Sequence, residues 1–211
     1  TRQLTVAAGA VVLNGAGRLA DFGTTNPIIV SAGATLELDN TASAGPIPDR
    51  IADTNKLQIN NGSSLILRGS GTPATPVNEV VGELIANTST GVLQVRANGS
   101  DTRLTFNAFS GSASFNVDRG NIGAGGSALA RVYVNNSAVF GDGFGLSIAT
   151  VTDASLGLAN YPTKYTTADG IVPAVTGSIY TTVKSGNWDD VTSWAPVAPA
   201  GGPGINDGII V

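Results

Sequence analysis

Leu4-Thr-Val-Ala-Ala-Gly-Ala-Val-Val-Leu13, Ile28-Ile-Val-Ser-Ala-Gly-Ala-Thr-Leu-Glu-Leu38 and Leu57-Gln-Ile-Asn-Asn-Gly-Ser-Ser-Leu-Ile-Leu67 are three renderings of one phrase. Each reads as a short strand, a turn of small residues and a second strand. A strand–turn–strand phrase recurring at a steady interval predicts a solenoid. Aligning the residue that follows each turn puts Val12, Leu36, Leu65, Leu93 and Phe115 in one column, at spacings of 24, 29, 28 and 22 residues. Later pieces, Arg131-Val-Tyr-Val134 and Leu146-Ser-Ile-Ala-Thr-Val151, keep the strand pattern without the turn. The variable length falls in expected turns at Thr41 to Asn55 and Gly69 to Val80.

Alternation assigns faces. Leu36 and Leu38 oppose Glu37, and Leu57 and Ile59 oppose Gln58. Leu104 and Phe106 oppose Thr105, Phe115 and Val117 oppose Asn116, and Val132 and Val134 oppose Tyr133. One face is apolar and the other polar, as a half-buried strand requires. A β-sandwich shows similar strands but has no reason to repeat Gly9-Ala10, Gly33-Ala34 and Gly62-Ser63 at equivalent corners. A coil that turns the same corner each time does, because glycine permits a left-handed backbone there. The expectation is an all-β chain, a right-handed parallel β-helix with degenerate coils of about 22–29 residues. Roughly eight coils at about 4.8 Å each would extend about 40 Å. Residues 1–160 are assigned to coils. Residues 161–211, punctuated by Pro162, Pro173, Pro196, Pro199 and Pro203, read as a strand–loop segment leading into a following repeat or subunit.

Composition narrows the function. Of 211 residues only 12% are charged and the net charge is -4, so no basic stripe marks nucleic acid. No apolar run reaches the roughly 20 residues of a membrane-spanning helix. The chain has no Cys and no His. Thiol chemistry, disulfides and imidazole catalysis are therefore excluded. Thr1 opens in strand-like sequence, which suggests a removed leader or an internal piece of a longer chain.

Candidate chemistry is sparse. A glycosidase needs two carboxylates flanking its bond. Glu37 and Asp39 are neighbours, Asp49 and Asp53 share a loop, and Asp189 and Asp190 are adjacent, but none forms a column down the stack. They read as solvated or turn-capping acids. Phe140-Gly-Asp-Gly-Phe-Gly145 and Ile205-Asn-Asp-Gly208 resemble calcium turns, but a calcium array needs tandem copies. Gly120-Asn-Ile-Gly-Ala-Gly-Gly126 lacks the Lys-Ser/Thr of a phosphate loop. No catalytic, metal or cofactor residue is assigned, and no enzyme activity is expected. Trp188 and Trp194 form either a sugar-stacking platform, with Tyr133 as a further candidate, or a packing cap. The cap is the preferred reading.

Two stretches carry a family likeness. One runs from Gly91-Val-Leu-Gln-Val95 through Asp101-Thr-Arg-Leu-Thr-Phe-Asn-Ala-Phe109 and Ser114-Phe-Asn-Val117 to Ala168-Asp-Gly-Ile-Val172. The other is Gly186-Asn-Trp188, then Thr192-Ser-Trp194, followed by Pro203 and Asp207. With these the chain resembles the bacterial autotransporter-associated β-strand repeat proteins. The resemblance implies a large, secreted, repetitive surface protein with no shared catalytic residues. In such proteins the tryptophan phrase precedes a strand pair like the one that opens this chain. Joining Ile209-Ile-Val211 to Thr1-Arg-Gln-Leu-Thr-Val6 restores that order. The expectation is one unit of a secreted structural or adhesive fibre at the bacterial cell surface. Its partners would be further copies of itself, stacked through edges that include Leu4, Val6, Ile209 and Val211, and surface glycans. The alternatives are a carbohydrate-active β-helix, with Asp39 and Asp53 as residues to test, and a glycan-binding module.

Overall fold

The structure is a computed structural model. It describes residues 3–41, 46–87, 91–120, 129–135, 145–153, 158–174, 179–183, 190–195 and 208–210. These residues form an all-β parallel solenoid. The chain alternates between two sheets. The first sheet takes β1 (Thr5–Val6), β3 (Ile28–Val30), β5 (Lys56–Ile59), β7 (Val77–Ala86), β9 (Thr102–Gly111) and β11 (Ala130–Val134), every neighbour parallel. The second takes β2 (Ala10–Leu13), β4 (Thr35–Asp39), β6 (Ser64–Arg68), β8 (Gly91–Arg96), β10 (Phe115–Gly120) and β12 (Gly145–Asp153), also in parallel. The stack is thus six strands deep on each sheet rather than the eight coils expected. β13 (Leu158–Thr166) and β14 (Gly170–Pro173) continue the second sheet but run antiparallel.

The inward columns are the apolar residues that alternation selects. On the second sheet Val11, Leu36, Leu65, Leu93, Val117 and Val151 lie opposite one another in succession. On the first sheet Ile28, Leu57, Leu84 and Phe109 do the same. Leu36, Leu57, Leu65, Leu84 and Leu93 are wholly buried. Each such side chain contributes about 1.5–3 kcal/mol. Two members of the expected column change. Val12 lies opposite Glu37 and is 45% exposed, so the inward residue of the first coil is Val11. Phe115 is inward but lies opposite Gly91, two residues along from Leu93, and the Ile59 side chain fills the space beside that glycine. The expected turn Gly69 to Val80 is shorter than read, because β7 starts at Val77.

The corners stack like the strands. Gly33 has φ +72°, and a Cβ built on it would meet nothing within 4 Å. Backbone handedness alone therefore calls for glycine there. Gly33→Ala is expected to cost about 1–2 kcal/mol, the penalty of an L-residue in the left-handed region. Urea unfolding of the variant measures it.

At the far end the two antiparallel strands cover the core. Ile171 and Tyr165, from the antiparallel strands, join the core cluster. Tyr133 Oη donates to the Ala168 carbonyl at 2.6 Å, and Arg131 meets Asp169 at 3.4 Å. Tyr133 and Thr105 point outward as expected but are only 5% exposed, since Arg103 and the β13–β14 turn cover this part of the outer face. Beyond this cap a separate three-stranded sheet joins β15 (Ile179–Thr182) to β16 (Trp194–Ala195), antiparallel, and to β17 (Gly208–Ile210), parallel.

Candidate functional site

The starting end of the stack is the first candidate. Among the described residues β2 has one strand neighbour, β4, and β1 has one, β3. The Gly9 carbonyl accepts from Thr35 N at 2.9 Å, and Val11 lies opposite Leu36. Alternate residues of a strand bond to opposite sides. Val12 therefore turns its N–H and C=O away from β4, toward the free edge. An unpaired edge of this kind is a template for another strand.

The edge residues named from sequence fall differently. Val6 lies in β1, yet its side chain is 2% exposed and belongs to the core. Leu4 packs partly buried against that core, and its carbonyl accepts from Ile29 N at 2.9 Å. Ile209 sits in β17 opposite Tyr180. Val211 and Trp188 lie outside the described residues, as do most of the two calcium-like turns and of the glycine run. Trp194 is described and is 6% exposed. It follows a short helical turn capped by Asp190, whose side chain accepts from Thr192 N at 3.0 Å. Its indole is packed in rather than presented. Tyr133 likewise offers no free face for a sugar.

The outer face of the second sheet carries a charge ladder that the sequence reading missed. Asp39, Arg68 and Arg96 lie opposite one another on successive strands. Two stacked arginines repel, and each turns toward a different acid. Arg68 reaches across to Glu37, while Arg96 takes Asp118 with two nitrogens, at 2.9 and 2.7 Å. Acids and bases from four successive strands thus gather here, although the acids themselves form no column. A cleft of about 250 Å³ opens among Thr41, Arg68, Arg96, Ala97, Asn98 and Arg119. Burial works against the Asp39 charge, but bonds from the Thr41 hydroxyl and N–H, with Arg68 and Arg50 nearby, hold its carboxyl below the usual value. Asp53 is raised instead, by burial and by its neighbour Asp49. Exposed pairs like these contribute about 0–1 kcal/mol each and mainly fix register.

A second feature invisible to motif reading lies inside the stack. Glu79 occupies an inward position of β7, opposite Leu104, and is fully buried. Its carboxylate accepts from Ile51 N at 2.7 Å and Arg50 N at 3.2 Å. Burial pushes this carboxyl up to about 7, against the pull of those two N–H groups and of Arg50. Arg50, 1% exposed, donates to the carbonyls of Gly17 (2.6 Å), Asp39 (2.9 Å) and Gly15 (3.1 Å) and to Asn40 Oδ1 (2.9 Å). One arginine therefore gathers the corner after β2, the end of β4 and the loop before β5. Nearby, Asn55 does the same for Ala20 and Phe22. This pair is architectural, because solvent and ligand cannot reach it. No group of His, Cys, Asp or Glu among the described residues could hold a metal ion.

A third feature is a groove of about 350 Å³ on the outer face of the first sheet, lined by Asn78, Val80, Arg103, Thr105, Asn107 and Asn135. Comparison of the chain with protein-family models, with curated proteins and with solved structures found no match.

Proposed function

We propose that this chain is a non-enzymatic unit of an extended β-solenoid at the bacterial cell surface, secreted, structural or adhesive, and built by stacking of further units on the β1/β2 edge. The observation that carries the reading is the pairing of β17 with β15. It is parallel, the relation between successive coils, and it follows the antiparallel strands in the chain. A strand pair of that kind has the form needed to cover a free parallel edge, by strand addition. The resemblance to autotransporter-associated repeats accords with this and supplies the expectation of secretion. The donor in this scheme is the β15–β17 pair, since β13 and β14 end the parallel run of the second sheet.

Rigidity would come from continuous backbone ladders and stacked aliphatic columns. The acid–arginine pairing accords with a structural face, because carboxylates engaged by guanidinium groups are poor proton donors.

Val12→Pro tests the reading. The substitution removes an N–H that points to the free edge and leaves the ladder to β4 intact, and proline is tolerated on edge strands. Sedimentation of the wild-type chain over a wide concentration range is expected to show self-association, and the variant is expected to stay monomeric with an unchanged circular dichroism spectrum. A wild-type chain that is monomeric throughout would contradict stacking between separate copies.

A further inference from the structure

The groove on the outer face of the first sheet spans β7, β9 and the end of β11, away from the β1/β2 edge. Its centre is Arg103. Among the described residues Lys56, Arg68, Arg96 and Arg131 each have an acid within ion-pair distance. Arg103 has none. Its guanidinium carbon sits 3.9 Å from the centre of the Tyr133 ring, and Nε donates to Thr105 Oγ1 at 3.1 Å. Tyr133 is itself fixed by its 2.6 Å bond to the Ala168 carbonyl. The planar cation is therefore held in place by a ring and a hydroxyl, with its terminal nitrogens left over. A positioned guanidinium with free donors matches a carboxylate in a two-bond fork.

Amides surround it. Asn78 lies directly opposite Arg103 on β7, is exposed and makes no side-chain hydrogen bond. Asn135 Nδ2 donates to Asn107 Oδ1 at 3.3 Å, and Asn107 Nδ2 donates to the Asp53 carbonyl at 3.4 Å. That chain of bonds orients two amides and leaves the Asn135 oxygen as an acceptor. Each amide offers a donor and an acceptor side by side. Paired donor and acceptor groups suit vicinal hydroxyls. One cation, several amides and a single aliphatic floor residue do not suit an apolar peptide or a nucleic acid backbone.

We propose that this groove binds an acidic saccharide, with Arg103 taking the sugar carboxylate and Asn78, Asn107 and Asn135 taking ring hydroxyls. The sugar is a uronic acid within a glycan. Holding Arg103, Asn107 and Asn135 in position before binding lowers the ordering cost of capture. The site is independent of the β1/β2 edge, so its failure leaves the stacking reading standing, and the reverse.

The test is calorimetric titration of the full chain with oligomers of galacturonic, glucuronic and mannuronic acid and with the neutral oligomer of galactose. At least one uronate is expected to bind, with the neutral oligomer about tenfold weaker or more. Arg103→Gln is expected to weaken uronate binding about tenfold, and Arg103→Lys to fall between, since it keeps charge but loses the fork. Asn78→Ala, at an exposed side chain with no internal bond, leaves folding intact and is expected to weaken binding severalfold. Absence of binding to every uronate would overturn the proposal. So would equal affinity for the neutral oligomer, or affinity unchanged in both Arg103→Gln and Asn78→Ala.

Discussion

Arg50→Ala is expected to destabilise the solenoid by about 3–5 kcal/mol, the usual cost of removing one partner from a buried charged network. The substitution strands three carbonyls, those of Gly15, Gly17 and Asp39, and the Asn40 Oδ1 acceptor, and takes a nearby positive charge from Glu79 while keeping its two backbone N–H bonds. Chemical unfolding followed by circular dichroism measures the loss. Glu79 adds a pH signature with a definite sign. Its folded value of about 7 lies above its ordinary 4.5, so the folded chain holds the proton more tightly. The associated stability is complete below about 4.5 and is lost as pH rises through about 7. The loss is on the order of 3 kcal/mol. Asp39 and Glu83 act oppositely in acid. Burial opposes the Asp39 charge but Thr41 outweighs it, and Lys56 holds Glu83 low, so their contributions fade as pH falls. Glu79→Gln costs a hydrogen bond but removes the titration. Its unfolding free energy is expected to run flat between about pH 4.5 and about pH 7, where that of the wild type declines. A variant with the wild-type slope would assign the titration elsewhere.

Gly111→Ala is the other large effect, expected at about 3–5 kcal/mol. Gly111 ends β9 with φ +110°, opposite Ala86. A Cβ there would overlap the Ala86 carbonyl oxygen, which also accepts from Ala113 N at 3.0 Å. Backbone cannot step aside as a flexible side chain can. Gly33→Ala is the matched control, because it shares the positive φ and has open space. Thermal unfolding of the two variants separates handedness from crowding. Equal losses would mean that the β9 corner relaxes and that crowding is unimportant there.

The architecture was legible because its signal is repetitive. Leu36, Leu38, Leu57 and Ile59 alternate with polar neighbours, and one phase buries them all. The misplacement of Val12 has a physical origin. Ala10-Val-Val-Leu13 is apolar throughout, so alternation supplies no contrast and the phase is free to slip by one. Only pairing with Leu36 decides it in favour of Val11. The cap was hidden for another reason. Antiparallel and parallel strands carry the same alternation, and nothing in Leu158–Thr166 states which way the chain will run. Arg50 and Glu79 join residues 29 apart, one of them in a loop. One signal was present. Alternation through Val77-Asn-Glu-Val-Val81 places Glu79 in an apolar column, and a buried acid demands donors. The flank groove had no linear signature, because register across three strands assembles it.

The account turns on whether the β1/β2 edge is a stacking surface. Two copies of the chain fused end to end place the β15–β17 segment of the first before the β1/β2 edge of the second. Amide hydrogen exchange at Val12, measured separately in each copy, reads the edge directly. Stacking predicts that Val12 of the second copy exchanges slower than that of the first by about tenfold or more. Equal exchange at Val12 in both copies would contradict it.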